Sequence, residues 1–163
     1  MEFPENRQEA DDSYHVLMRA LVGVFFPLRS LQRNGIDMTW SYGYLIVFLG
    51  AGAGGMLRHA VNRAAFRLFG PDLPVGTFAI NVLGSLAMGV IAGYFVLKGD
   101  ADQKRSLFLT TGVLGGFTTY SAFSLETALL VQRGQVTAAL LYVGASVVLS
   151  VGGIFGGLAL MRS

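Results

Sequence analysis

The residues that could do chemistry are polar side chains placed inside long apolar runs. The densest set lies between Thr110 and Ser124, where the sequence reads TTGVLGGFTTYSAFS. Ser and Thr compete with the backbone for hydrogen bonds, so a pair of glycines followed by repeated hydroxyls predicts an interrupted helix. An interruption frees backbone carbonyls, which are natural ligands for a hard cation. In a membrane, such backbone is tolerated only where it is buried in protein or lines a cavity.

Further polar and aromatic residues recur at helical spacing. Asn81 precedes Ser85 by one turn, and its amide either joins two helices or donates an N–H group to an anion, with joining slightly favoured. A stripe of hydroxyl groups runs along one face of a later helix, and two aromatic residues share a face of an earlier one. The stripe is Tyr142, Ser146 and Ser150, and the aromatic pair is Tyr120 and Phe123.

The composition excludes several classes of function. The chain has no cysteine, and therefore no disulfide and no thiolate nucleophile. No set of nucleophile, base and acid can be assembled from the sequence, so we do not expect an enzyme. A formal net charge of +2 argues against nucleic acid as a partner. The middle of each apolar run lacks the carboxylate that a proton-coupled transporter usually needs.

Membrane helices must position these side chains. Charged residues make up 13% and hydrophobic residues 53% of the 163 residues, which is too little charge to cover a soluble globule. Four uncharged runs are each long enough to cross a bilayer, for which about 20 residues suffice. They are residues 38–57, 73–97, 106–125 and 134–161. We therefore predict an all-α membrane protein with four transmembrane helices, the third of them broken, with charged connections at 58–72, 98–105 and 126–133.

The first 39 residues are of a different kind. They begin with an acidic, polar stretch, and the apolar stretch Val16–Leu28 that follows is short and interrupted by Arg19 and Pro27. We predict a polar, interfacial N-terminal extension over residues 1–39, followed by a transmembrane domain over residues 40–163. The alternative is that the protein begins at Met38.

Basic residues are nearly balanced between the two sides of the predicted domain. One side has Arg33, Lys98, Lys104, Arg105 and Arg162, and the other has Arg58, Arg63, Arg67 and Arg133. The positive-inside rule therefore gives no strong orientation. This balance allows insertion in both directions and an antiparallel homodimer, although a weakly preferred single orientation is the commoner case.

Three motifs, in this order and spacing, resemble those of the CrcB/Fluc family of fluoride channels. They are GAGAGGMLRHAVNR from Gly50 to Arg63, GTFAINVLGSLAMG from Gly76 to Gly89, and GVLGGFTTYSAFSLE from Gly112 to Glu126. The resemblance covers residue 40 to the C-terminus. It implies a dual-topology, antiparallel homodimer in a prokaryotic inner membrane. Such a dimer lets cytoplasmic fluoride leave passively through two narrow pores and so lowers its toxicity.

The resemblance also implies roles for individual residues. The pore asparagine corresponds to Asn81, and the paired phenylalanines that present ring edges to the ion correspond to Tyr120 and Phe123. Tyr120 departs from the usual Phe: it keeps the electropositive ring edge and adds a hydroxyl that either donates to the anion or crowds the pore. A structural Na⁺ at the dimer centre would be held by backbone carbonyls of both subunits, at Gly115 and Thr118. The other implied residues are Ser121, Ser124, Tyr142, Ser146 and Ser150 for the pore, and Arg58 and Glu126 as structural or vestibule charges.

Two other functions remain as alternatives. A small dual-topology, proton-coupled multidrug exporter would need a glutamate in the first helix, and residues 38–57 contain none. A membrane scaffold without transport would use Asn81 and the Thr and Ser cluster only to hold helices together.

Overall fold

The computed structural model describes residues 39–98 and 103–162, and the described residues are helical with no β-strand. Helix α1 spans Thr39–Phe69, α2 spans Val75–Lys98 and α3 spans Gln103–Leu107. A π-helix, Phe108–Leu114, continues directly into the short α4, Gly115–Phe117. Helix α5 spans Tyr120–Gln132 and α6 spans Val136–Arg162. The predicted extension over residues 1–39 lies outside the described residues except for Thr39.

Three of these helices are long and apolar enough to cross a membrane. The qualifying stretches are Tyr42–Phe69 in α1, Val75–Phe95 in α2 and Val136–Arg162 in α6. Residues 103–132, which we call the broken segment, contain the predicted interruption at Thr118 and Thr119. The all-helical class is therefore as predicted, and the broken segment is interrupted as predicted for the third helix. That this segment crosses the membrane as a fourth span stays a prediction.

Helix α1 is much longer than the sequence predicted. The connection predicted at 58–72 is wrong, because α1 continues to Phe69 and only residues 70–74 link it to α2. Arginine is a good helix former, so charge alone does not end a helix. The helix ends at Gly70, which has φ of 76° and donates its N–H to the Phe66 carbonyl at 3.0 Å. Glycine adopts this left-handed conformation without steric cost, and Pro71 follows it.

The connection predicted at 126–133 is wrong for the same reason. Helix α5 runs to Gln132, and Gly134, with φ of 75°, forms the turn before α6. Glu126 therefore lies in the interior of a helix and not at the end of a span. The connection predicted at 98–105 is shorter than expected, because α2 includes Lys98 and α3 begins at Gln103.

Glycines bring the backbones of α2 and α6 into direct contact. A Cβ atom at Gly157 would collide with backbone atoms of Leu86, Gly89 and Val90, and Gly153 faces the same part of α2. Small residues allow such close approach between membrane helices, where lipid provides no hydrophobic drive for association. The α2–α6 pair is therefore held by backbone proximity and not by large interlocking side chains.

Helix α1 packs against the broken segment in the same way. A Cβ at Gly54 would collide with backbone atoms of Val113 and Phe117, and one at Gly116 would collide with the backbone of Ala51. These contacts involve residues just before the interruption, and they hold this part of the broken segment against α1.

Most large apolar side chains face outward from the single chain. Phe48, Leu140 and Phe155 are exposed, whereas Ile80 is one of the few fully buried apolar residues. Exposed apolar area of this extent is typical of a surface that meets lipid or another subunit.

Replacing Gly157 with Ala is expected to destabilise the fold by about 1–3 kcal/mol, because the new methyl group meets backbone that cannot move aside. Gly152→Ala is the matched control, since Gly152 has open space where a Cβ would be. Denaturant titration in detergent micelles would measure both free energies of unfolding. Equal stability of the two variants would contradict the α2–α6 packing described above.

Candidate functional site

The interruption of the broken segment is two residues long. Thr118 has φ and ψ of −74° and 155°, and Thr119 has −152° and 114°, so both are extended. Helix α5 then begins with Thr119 as its N-cap, whose Oγ1 accepts from the Ala122 N–H at 3.3 Å. The Thr-rich sequence thus supplies the cap of the second half as well as the break.

Asn81 on α2 clamps the backbone at this break. Its Nδ2 donates to the Thr119 carbonyl at 3.1 Å, and its Oδ1 accepts from the Thr119 N–H at 2.9 Å. Asn81 therefore joins α2 to the broken segment, the role that its position in the sequence slightly favoured. One of the two amide N–H groups of Asn81 is still available for another acceptor, since the amide carries two donors.

Arg58 on α1 contacts the break from another side. Its Nη1 donates to the Thr118 carbonyl at 3.4 Å, and the Thr118 Oγ1 donates to the Leu114 carbonyl at 2.9 Å. A Cβ at Gly84 on α2 would collide with the Thr118 side chain. Helices α1 and α2 therefore both fix the position of Thr118.

The break changes the hydrogen bonding of the carbonyls before it, including the two predicted to bind Na⁺. In a continuous α-helix, Gly115 would accept from Thr119 and Thr118 would accept from Ala122. Here the Thr119 N–H donates to Asn81 and the Ala122 N–H donates to the Thr119 side chain. The Thr118 carbonyl accepts instead from Arg58, whereas the Gly115 carbonyl has lost its helical donor. Neutral carbonyl oxygens suit a hard cation such as Na⁺, although two of them are too few to surround one. A second copy of the chain would be needed to complete such a site.

Three aromatic rings form a row on α5 and α6. The ring centroids of Tyr120 and Phe123 are 5.6 Å apart with the planes at 40°, and those of Phe123 and Tyr142 are 5.2 Å apart at 43°. Tyr120 is 80% exposed, whereas Tyr142 is buried. Phe123 is thus the middle ring of a row that runs from the chain surface into its interior.

Glu126 joins three helices through two hydroxyl groups. Its Oε1 accepts from Thr77 Oγ1 on α2 at 2.8 Å, and its Oε2 accepts from the Tyr142 hydroxyl on α6 at 2.9 Å. Charge-assisted hydrogen bonds of this kind are stronger than those between neutral groups. A cavity of about 310 Å³, which also reaches Arg133 and Asp72, borders this carboxylate.

Thr77 and Thr119 are functional residues that the residue pattern did not predict individually. Thr77 is 1% exposed and lies one turn before Asn81, so its spacing on the same helix face could have revealed it. The backbone role of Thr119 depends on the conformation of the break, which residue types alone do not specify.

The predicted pore serines fall into two groups. Ser146, one turn after Tyr142, is 5% exposed and its Oγ has no hydrogen-bond partner. Ser150, one further turn along, is half-buried. On α5, Ser124 donates to the carbonyl of Tyr120 at 3.0 Å, and Ser121 lies 3.2 Å from the Thr119 hydroxyl. Both α5 serines are exposed and bonded within the broken segment, so Ser146 is the buried hydroxyl without a partner in this row.

The described residues therefore contain a row of neutral donors and rings beside a clamped break. They contain no group of three or more His, Cys, Asp or Glu side chains able to hold a metal ion. Glu126 is the one acidic residue within the described helices.

Comparison with known proteins places this site in a family. Residues 45–158 match the family model described as CrcB-like protein, Camphor Resistance (CrcB). A fluoride-specific ion channel FluC 2 of Nitrobacter hamburgensis is 58% identical over 119 residues, which are 73% of this chain and 96% of that protein. A fluoride-specific ion channel FluC of Rhodopseudomonas palustris is 57% identical over 120 residues, which are 74% of this chain and 97% of that protein.

A third relative, the fluoride-specific ion channel FluC of Methylobacterium nodulans, is 55% identical over 118 residues, 72% of this chain and 94% of that protein. The family model and all three relatives match most of the chain, and each relative is matched over nearly its full length. The chain belongs to the CrcB family.

Proposed function

We propose that this protein is a passive fluoride-selective channel of a bacterial inner membrane, through which cytoplasmic fluoride leaves the cell. Relatives more than 50% identical carry the name fluoride-specific ion channel. The observation that carries the proposal on this chain is the buried, unpartnered hydroxyl of Ser146 beside the aromatic row. A buried hydroxyl without a partner is costly, so an ion that accepts from it explains why it is there.

The chemistry of the row suits fluoride. Fluoride is small and strongly hydrated, so a pore must replace its water molecules with donors at close range. Hydroxyl groups donate directly, and an aromatic ring presents a positive edge. None of these groups carries a full charge, and conduction requires binding weak enough for the ion to leave.

No energy coupling is needed for this export. An interior-negative potential drives an anion outward by about 2.3 kcal/mol per charge for each 100 mV. A proton-coupled exporter would use a carboxylate in α1, and α1 contains no acidic residue. Glu126 already accepts hydrogen bonds from two hydroxyls, which gives it a structural role between α2, α5 and α6.

The channel is proposed to be an antiparallel, dual-topology homodimer in which the broken segment is the fourth span. Tyr120 lies at the end of the aromatic row and is 80% exposed in the single chain, so a second copy would enclose it. The nearly balanced basic residues are compatible with insertion in both directions.

A structural Na⁺ is proposed at the centre of this dimer. The carbonyls of Gly115 and Thr118 from both copies would supply its oxygen ligands. Gly115 is exposed in the single chain, and its carbonyl no longer accepts from the Thr119 N–H, which donates to Asn81. Both features suit an ion ligand. Arg58 donates to the Thr118 carbonyl from within the chain, so that oxygen is shared between an arginine and the proposed ion.

Proteoliposomes containing the purified full chain test the function. They are expected to release fluoride and retain chloride when the potential is collapsed with an ionophore, as measured with ion-selective electrodes. Well-folded protein that releases no fluoride would exclude the channel function.

Replacing Phe123 with Ile is expected to lower fluoride efflux by about tenfold or more, because loss of the middle ring removes an interaction worth roughly 1.4 kcal/mol. Phe155→Ile is the matched control, since Phe155 is an exposed ring on α6 outside the row. Size-exclusion chromatography would verify that both variants keep the oligomeric state of the parent. Efflux at the parental rate from the Phe123 variant would refute a role for its ring edge.

Replacing Ser146 with Ala separates a pore role from a structural one. Removal of an unpartnered buried hydroxyl is expected to leave stability unchanged or raise it by about 1 kcal/mol. The same change is expected to slow fluoride efflux, because the pore loses a donor. Ser146→Thr keeps the hydroxyl and should retain more flux than the Ala variant. If the Ala variant conducts as fast as the parent, the hydroxyl is not part of the pathway.

A further inference from the structure

An apolar groove with two basic residues lies at the end of the helices far from the aromatic row. Its volume is about 820 Å³, and Lys104 and Arg105 line it together with apolar side chains. Those apolar residues come from α1, α2, the π-helix and α6, and include Ile46, Ile91, Phe95, Phe108 and Leu109. With α3, which carries the two basic residues, five elements line the groove.

The position of the groove places it at a membrane surface. Phe95, Lys104 and Met161 line the groove and lie close to the end of α2, the start of α3 and the end of α6, so three helix ends lie at this level. Val90, the first groove residue on α2, is nine residues beyond Asn81, which is about 13 Å along a helix. The groove is thus separate from the break and from the carboxylate of Glu126.

The groove has an apolar floor and a basic end, and a phospholipid has matching parts, namely apolar acyl chains and a phosphate headgroup. The floor is apolar and suits an acyl chain, while Lys104 and Arg105 are exposed on α3 where a headgroup would lie. Basic pockets between transmembrane helices bind anionic headgroups. Cations at a bilayer surface also attract anionic lipid electrostatically, which zwitterionic lipid does not match.

We propose that this groove binds one anionic phospholipid per protomer, with the phosphate at Lys104 and Arg105 and an acyl chain along the apolar floor. The site does not depend on conduction, and the proposal stands or falls separately from the fluoride pathway.

Native mass spectrometry of the full-length protein in detergent tests the proposal. The protein is titrated with phosphatidylglycerol or with phosphatidylcholine of the same acyl chains, and retained lipid is counted per protomer. The wild type should retain phosphatidylglycerol in preference to phosphatidylcholine. Lys104→Gln combined with Arg105→Gln should lower that preference by on the order of tenfold.

The matched control is Arg63→Gln combined with Arg67→Gln. These two arginines are also exposed but lie near the other end of α1. The control should keep the preference of the wild type. An unchanged preference in the Lys104 and Arg105 variant would overturn the proposal.

Equal retention of both lipids by the wild type would also overturn it. Retention of neither lipid would overturn it as well, and would mean that another occupant fills the groove, such as the acidic N-terminal residues or a second copy of the chain.

A second variant tests the apolar floor. Ile91→Trp places a larger side chain in the groove while both cations remain. It should lower the retained phosphatidylglycerol to the level of the Lys104 and Arg105 variant. Wild-type retention in a folded Ile91 variant would show that no acyl chain lies along the floor.

Discussion

The pair of hydrogen bonds between Asn81 and the Thr119 backbone is the constraint on which the rest of the site depends. It satisfies the Thr119 N–H, which the break removes from the helix, and it adds a donor to the Thr119 carbonyl. Unsatisfied backbone groups are not tolerated in lipid, so an interruption here requires such a partner. Arg58 does the same for Thr118 from α1. A side chain on each neighbouring helix thereby converts an unfavourable break into a defined conformation.

The break in turn orients the second half of the segment. Helix α5 starts at Tyr120, which places Phe123 between Tyr120 and Tyr142 and directs Glu126 towards Thr77. Glu126 on α5 then connects α2 and α6, because its carboxylate accepts hydrogen bonds from one hydroxyl on each of these helices. The proposed path beside these rings consists of neutral donors, a composition that lets a strongly hydrated anion bind weakly enough to leave.

The sequence predicted the polar features of this site better than the ends of its helices. The break, the hydroxyl stripe and Asn81 could be recognised because polar residues are costly in apolar runs and so stand out. The helix ends were predicted wrongly because an uncharged run indicates which residues could lie in lipid, not where a helix ends. Helix α1 includes Arg58 and Arg63 and continues beyond both. The bonds of Glu126 to Thr77 and Tyr142 join residues 49 and 16 positions apart, a contact that requires the folded helix packing.

The central claim is that fluoride crosses this protein passively, past neutral donors. It is tested most directly by fluoride flux in proteoliposomes whose membrane potential is set with a potassium gradient and valinomycin, at equal pH inside and outside. The account predicts that flux reverses direction where the applied potential equals the fluoride equilibrium potential. Flux that ignores the potential and instead follows an imposed pH gradient would contradict it.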